Sequence, residues 1–203
     1  TELQQAKDAT ERANQALLTA NGELAQIATT DPLTGAWNRR HFLDVAEQMK
    51  AQARRYNTPL ALLILDIDHF KPINDQHGHQ VGDKVLIELT RMIKHELRET
   101  DVFARWGGEE FVLLVPHCNA EDAVQLADKL RLRVAAHTFD TIGSLTVSLG
   151  AAVLLLNESI DSLFQRGDVA LYAAKAAGRN TVRLCSSNGT TGKKLDFNQI
   201  AVI

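Results

Sequence analysis

Apolar positions recur along this chain with two periods, and the switches between them divide it into elements. From Thr1 to about Thr29, apolar or small residues form two series seven apart, Leu3, Thr10, Leu17, Leu24 and Ala6, Ala13, Ala20, Ile27. The series are offset by three, as the a and d seams of a heptad are, with Gln, Lys, Glu and Arg between them. This predicts a signalling or dimerising coiled-coil helix over residues 1–30; Ala and Thr weaken half the seam, so an amphipathic helix packed on the following domain is the alternative. Asp31-Pro32-Leu33-Thr34-Gly35 interrupts the pattern as a hinge, because Pro32 disfavours helical geometry at Asp31 and Gly35 permits a turn. Asn38 can cap a helix from Arg39 to about Tyr56, with Phe42, Val45, Ala46 and Met49 on one face, ended by Thr58-Pro59.

Leu60 to Leu65 is then apolar without alternation, the pattern of a central strand buried on both faces. It runs into Asp66-Ile67-Asp68, and carboxylates at the end of a buried strand are costly unless paired or metal-bound. If the strand persists, its period puts Asp66 and Asp68 on one face; a simple helix-capping role is the alternative. Phe70 to Asp83 reads as a polar connection punctuated by Gly78 and Gly82, in which His77 and His79 are turn or packing residues, since no Cys or third His stands at zinc spacing. A helix follows from Lys84 to about Glu99, with Val85, Leu86, Leu89, Met92, Ile93 and Leu97 at helical spacing.

Asp101 to Ala104 and Phe111 to Val115 read as the strands of a hairpin with Gly107-Gly108 at its tip. Glu109 and Glu110 just past that tip are poor strand residues that repel each other, so they either bind a cation or substrate or blunt an exposed edge. Asn119 caps a helix to about Ala136, Ser144 to Val153 is a strand, and Ser159 or Asp161 begins a helix through Ala177 with Gly178 as its stop. Thr181 to Leu184 is a short closing strand, and residues 186–203 are expected to form a flexible tail, Ser/Gly/Thr/Lys-rich from Ser186 to Lys194 with an apolar end. The globular domain is therefore expected over residues 31–185.

Composition narrows the classes. At 203 residues and 45% hydrophobic the chain can bury one good core. A net charge of −3 gives no basic footprint, so a nucleic-acid polymer or an anionic membrane is not an expected partner, and phosphate binding must be local. Cys118 and Cys185 lack metal or disulfide spacing and read as reduced thiols, which with no apolar run of about 18 residues and no signal-peptide pattern predicts a cytoplasmic location without direct membrane contact. The chain opens in helix without an initiator Met, so it is expected to be the output part of a longer signalling protein, possessing upstream sensor or membrane segments.

Taken together, five blocks resemble GGDEF-domain diguanylate cyclases over about Asp31 to Leu184. They are Asp31-Pro32-Leu33-Thr34-Gly35 with Asn38-Arg39-Arg40, Asp66-x-Asp68-x-Phe70-Lys71-x-x-Asn74-Asp75, Gly78-His79-x-x-Gly82-Asp83, Gly107-Gly108-Glu109-Glu110-Phe111, and Ala174-Lys175-x-x-Gly178-Arg179-Asn180. The resemblance implies an α/β (α+β) fold like the palm of nucleotide cyclases, with a central, mostly antiparallel sheet flanked by helices. It also implies condensation of two GTP into cyclic di-GMP, with release of two pyrophosphates, across a homodimer.

The same resemblance implies that Asp66, Glu109, the Ile67 carbonyl and Glu110 hold Mg²⁺ or Mn²⁺, Glu110 alternatively activating the hydroxyl; hard oxygen ligands suit such ions. Asn74 and Asp83 would read the guanine edge, Asp83 accepting from donors that adenine lacks. Phe70, Gly107 and Gly108 would complete the substrate site, with Lys71, Lys175 and Arg179 supplying local positive charge for phosphates. Arg98-Glu99-Thr100-Asp101 is similar to the family's Arg-x-x-Asp motif for product inhibition, the plain alternative being a helix-end Arg paired with a strand-start Asp. Two other functions stay open on the residues alone: a catalytically silent nucleotide receptor and a plain dimerisation module.

Overall fold

The computed structural model describes residues 29–185; the heptad-like segment and the C-terminal tail lie outside them. In chain order the elements are β1 (Trp37–Asn38), α1 (Arg39–Tyr56), β2 (Leu60–Ile67), α2 (Phe70–His77), α3 (His79–Glu96), β3 (Val102–Gly107), β4 (Glu110–Pro116), α4 (Ala120–Ala136), β5 (Thr138–Phe139), β6 (Gly143–Ser144), β7 (Val147–Val153), α5 (Ile160–Ala176) and β8 (Val182–Leu184). Six strands form one sheet in the order β1-β3-β4-β2-β7-β8, antiparallel through its centre and parallel at both edge pairs, and β5 pairs with β6 separately. This is the palm-like, mostly antiparallel α/β arrangement expected.

The two faces of β2 organise the core. Leu60, Leu62 and Ile64 pack with Phe42 and Ala46 of α1 and with Leu163, Phe164 and Leu171 of α5. Ala61, Leu63, Leu65 and Ile67 pack with Val85, Leu86 and Leu89 of α3 and Ala127 and Leu130 of α4. A strand paired on both sides and covered on both faces has no polar side to offer, which explains its unbroken apolar run. On the first face α5 lies directly on the sheet, since a Cβ added to Gly150 of β7 would stand 2.3 Å from both the Gly167 carbonyl oxygen and the Leu171 nitrogen.

The expected caps form. Asn38 Oδ1 accepts from the His41 N–H, Asn119 Oδ1 from Glu121 and Asp122, and Ser159 Oγ from Ser162. Four boundaries differ from expectation. The stretch from Phe70 to Asp83 is not a connection but α2, a break at Gly78 (φ +82), and the first turn and more of α3; Pro72 is tolerated because it sits in the first turn of α2, where its missing N–H has no partner to lose. Helix α3 ends at Glu96, with Leu97 already extended. The hairpin turns at Gly108 (φ +50) and Glu109, so Gly107 closes β3 and Glu109 sits in the turn itself. The stretch from Ser144 to Val153 is divided between β6 and β7.

Candidate active site

The sheet delivers a cluster of charge to one end. Residues alternate faces along a strand, so Asp66 lies on the α5 side of β2 in series with Leu62 and Ile64, and Glu110 lies on the same side of β4 in series with Val112 and Leu114. Asp66 and Glu110 are direct partners in the β2–β4 register. Lys175, in the last turn of α5, reaches down to them, with its Nζ 2.8 Å from Asp66 Oδ2.

Burial dominates the electrostatics. It pushes the Asp66 carboxyl up to about 6; Lys175 opposes the shift, and Glu110 and Glu109 add to it. Glu110 is raised as well, first by burial and then by Asp168 and Glu109, against Lys175 and Arg39. Asp168 of α5, which was not among the expected site residues, is pushed to about 6 by burial. Lys175 therefore opposes the rise of both Asp66 and Glu110, while Asp168 adds negative charge near Glu110 and Arg39, held over the Trp106 ring at 4.4 Å, counters it. An excess of negative charge in a desolvated corner, built only from oxygen donors, fits a hard divalent cation. Among the described residues no three acidic, His or Cys side chains already surround one point as placed, and Lys175 occupies an oxygen of Asp66.

Asp68 lies on the face expected of it, since it bonds Ser148, the register partner of Asp66, but it is occupied with structural bonds. The strand is assigned to Ile67, but the Asp68 N–H still donates to the Thr146 carbonyl, and the buried Asp68 carboxylate accepts bonds from Thr146 Oγ1 and Ser148 Oγ, each at 2.7 Å, and from the Asn180 N–H at 3.0 Å. It thereby ties the end of β2 to the loop after α5, where Arg179 and Asn180 hold left-handed backbone (φ +64 and +44). Arg179 is exposed in that loop, and Lys71 is exposed on the first turn of α2.

Phe70 is buried at the start of α2, and Asn74 follows one turn later with its Oδ1 buried and no hydrogen-bond partner among the described residues. A Cβ on Gly82 would lie 1.9 Å from that oxygen and 3.2 Å from Phe70 Cζ, so the glycine makes the room in which the Asn74 amide sits. Asp83, next in α3, is exposed beside it. A buried acceptor left open is costly and is the state expected of a group that awaits a donor from outside the protein.

The hairpin turn carrying Glu109 is braced from the hinge. Arg105 Nε and Nη2 donate to the Gly108 carbonyl at 3.0 and 2.8 Å, while Nη1 lies 3.2 Å from Asp31 Oδ1. Burial raises the Asp31 carboxyl, but its bonds from Thr34 and the charge of Arg105 outweigh burial and hold it below its ordinary value. Sequence reading passed over Arg105, although an Arg in a strand leading into a glycine turn was a visible signal.

Arg98 and Asp101 stand elsewhere, on the turn between α3 and β3. Asp101 Oδ2 accepts from the Arg98 backbone N–H at 2.9 Å, its Oδ1 is buried without a partner among the described residues, and the Arg98 side chain is exposed. The plain contact between Arg98 guanidinium and Asp101 carboxylate is therefore not what holds this turn.

Comparison with known proteins agrees with this architecture. The family model described as "Diguanylate cyclase, GGDEF domain" matches residues 28–181. The chain belongs to the GGDEF family. It is 44% identical over 160 residues to the diguanylate cyclase DgcM of Escherichia coli K12, covering 79% of this chain and 39% of DgcM. This GGDEF chain thus spans well under half the length of that relative. Among solved structures it is similar to the GGDEF domain of DgcB from Caulobacter crescentus in complex with c-di-GMP, with a TM-score of 0.76 and 37% identity over 79% of this chain and 97% of that one. The coiled coil and GGDEF domain of the same DgcB, also in complex with c-di-GMP, matches with a TM-score of 0.82 and 32% identity over 91% of this chain and 100% of that one. Among the described residues of this GGDEF chain, no helix is long and apolar enough to cross a membrane.

Proposed function

We propose that this GGDEF domain is a diguanylate cyclase that condenses two GTP into cyclic di-GMP. The observation that carries the reading is the register pairing of Asp66 with Glu110 beside the Glu109 turn, with Lys175 2.8 Å from Asp66. Asp66, the Ile67 carbonyl, Glu109 and Glu110 would hold Mg²⁺ or Mn²⁺, which neutralises triphosphate charge when bound. Lys71, Lys175 and Arg179 bind phosphate oxygens, Gly107 and Gly108 leave the turn open to the triphosphate, and Asp68 keeps the Arg179 loop in place. Phe70 backs the base, whose donor edge is read by the open Asn74 Oδ1 and by Asp83.

One domain offers one such nucleotide site, so the reaction is assigned to a homodimer. Each 3′-hydroxyl attacks the α-phosphorus of the partner's GTP, a new P–O ester bond forms, the α–β anhydride bond breaks, and pyrophosphate leaves; two such steps close the ring. Product binding at Arg98 and Asp101 would restrain the enzyme, as an exposed guanidinium suits guanine or phosphate and an unpaired carboxylate oxygen suits guanine donors. The domain is read as the cytoplasmic output part of a larger signalling protein. Incubation with GTP or ATP and either metal tests the assignment: pyrophosphate and a cyclic dinucleotide are expected from GTP, with turnover of ATP lower by orders of magnitude. Equal turnover of ATP would contradict the roles of Asn74 and Asp83.

A further inference from the structure

The turn formed by Arg98 and Asp101 lines two clefts. The larger, about 500 Å³, continues past Glu96, His117, Gln125 and Lys129 toward α4. The smaller, about 290 Å³, is lined further by Trp37, Lys94, Leu97 and Phe103. Trp37 belongs to the two-residue edge strand β1 and keeps 39% of its surface exposed, although a large aromatic ring at a sheet edge is usually either packed away or in contact with a partner. Its indole is steadied rather than hidden: the His41 ring packs against it with centroids 4.2 Å apart. Lys94, which could otherwise fill the small cleft, is tied by its Nζ to the Gly35 carbonyl at 2.5 Å.

We propose that the cyclic di-GMP site at Arg98 and Asp101 spans both clefts and that Trp37 is its second base platform. The inference rests on the reading of that turn as a product site and adds a residue to it. A cyclic dinucleotide carries two purines on a doubly anionic ring, and the turn presents two clefts that share one exposed guanidinium. One guanine occupies the larger cleft, the open Oδ1 of Asp101 takes guanine donors, and the other guanine stacks on the Trp37 indole. Stacking on an aromatic face is the usual way a protein holds a base that it does not read by hydrogen bonds.

The chain contains two Trp residues, and the other, Trp106, is packed among Phe42, Phe164 and Arg39. Titration of the full chain with cyclic di-GMP, followed by indole emission and by calorimetry, therefore tests the proposal directly. The expected result is quenching in the parent, no ligand-dependent change in Trp37→Leu, and affinity about tenfold weaker in that variant, the loss of one stacked base. The KM for GTP stays unchanged, which also reports that the variant is folded. Binding without quenching in the parent, together with parental affinity in Trp37→Leu, overturns the Trp37 platform while leaving the product site intact. Undiminished binding by Arg98→Ala, or no binding by the parent, overturns both.

Discussion

Asp168 shows how a single half-buried carboxylate shapes the active-site corner. Burial lifts it from 3.8 to about 6, so the fold favours its protonated form. A group of this sign contributes most to stability below its ordinary value, and the contribution is lost as pH rises through about 6. Asp168→Asn should therefore melt higher than the parent at pH 7.5 in the presence of a chelator, by about 2–4 °C for a shift near 1 kcal/mol in a domain of this size. The gap should narrow as pH falls from about 6 to about 4, and a gap independent of pH would show that Asp168 is not held in this way. Asp66 carries the same sign at about 6, so loading of the site with Mn²⁺ should weaken as pH falls through that value, because the proton competes for the same oxygens. Glu158 behaves oppositely: although burial raises it, its bonds from Arg166, Leu155 and Ser162 hold it below its ordinary value, and its contribution is lost on acidification.

At the scale of elements, the site depends on how closely α5 lies on the sheet. Gly150→Ala would push a methyl into the Gly167 carbonyl and the Leu171 nitrogen, where backbone cannot swing aside. Overpacking of this kind costs about 1–3 kcal/mol. Because α5 carries Lys175 and Asp168 to Asp66 and Glu110, the variant should lose activity beyond its loss of stability at temperatures where it remains folded; unchanged kcat in a destabilised variant would contradict that coupling. Elements of this kind were largely legible in the sequence wherever a period or a cap had room to register: the unbroken run from Leu60 to Leu65, the hairpin, and the caps at Asn38, Asn119 and Ser159. Strand β1 was not, because two residues carry no period and its parallel pairing with β3 is a long-range choice. The α2–α3 stretch was hidden by Pro72 and the glycines, whose turn signals outweighed a short helical pattern. Asp66 and Glu110 were legible as chemistry, whereas the work of Asp68 and Arg105 was not, since it depends on where β2 stops and on the hinge folding back to the hairpin turn.

The whole molecule sets the remaining requirement, that two nucleotide sites meet. If each domain holds one GTP, specific activity should rise with protein concentration and level off as the dimer fills. The heptad-like segment precedes the Asp31 turn, and through Arg105 that turn is bonded to the Gly108 carbonyl beside Glu109, so a dimerising helix would raise the effective concentration of sites at their own catalytic turn. Removal of residues 1–29 should lower activity mainly in dilute solution, with recovery at high concentration; specific activity unchanged across dilution would argue against pairing through this segment. The central claim is that the carboxylate end of the sheet catalyses condensation of GTP. The most direct measurement is formation of cyclic di-GMP and pyrophosphate from GTP with Mg²⁺ or Mn²⁺ at high protein concentration, in the parent and in Glu109→Ala. The account predicts two pyrophosphates per cyclic di-GMP from the parent and a loss of at least about a hundredfold in the variant, the scale seen when a group stabilising transition-state charge is removed. Equal product from both proteins, or none from a parent that binds GTP and metal as a dimer, would contradict it.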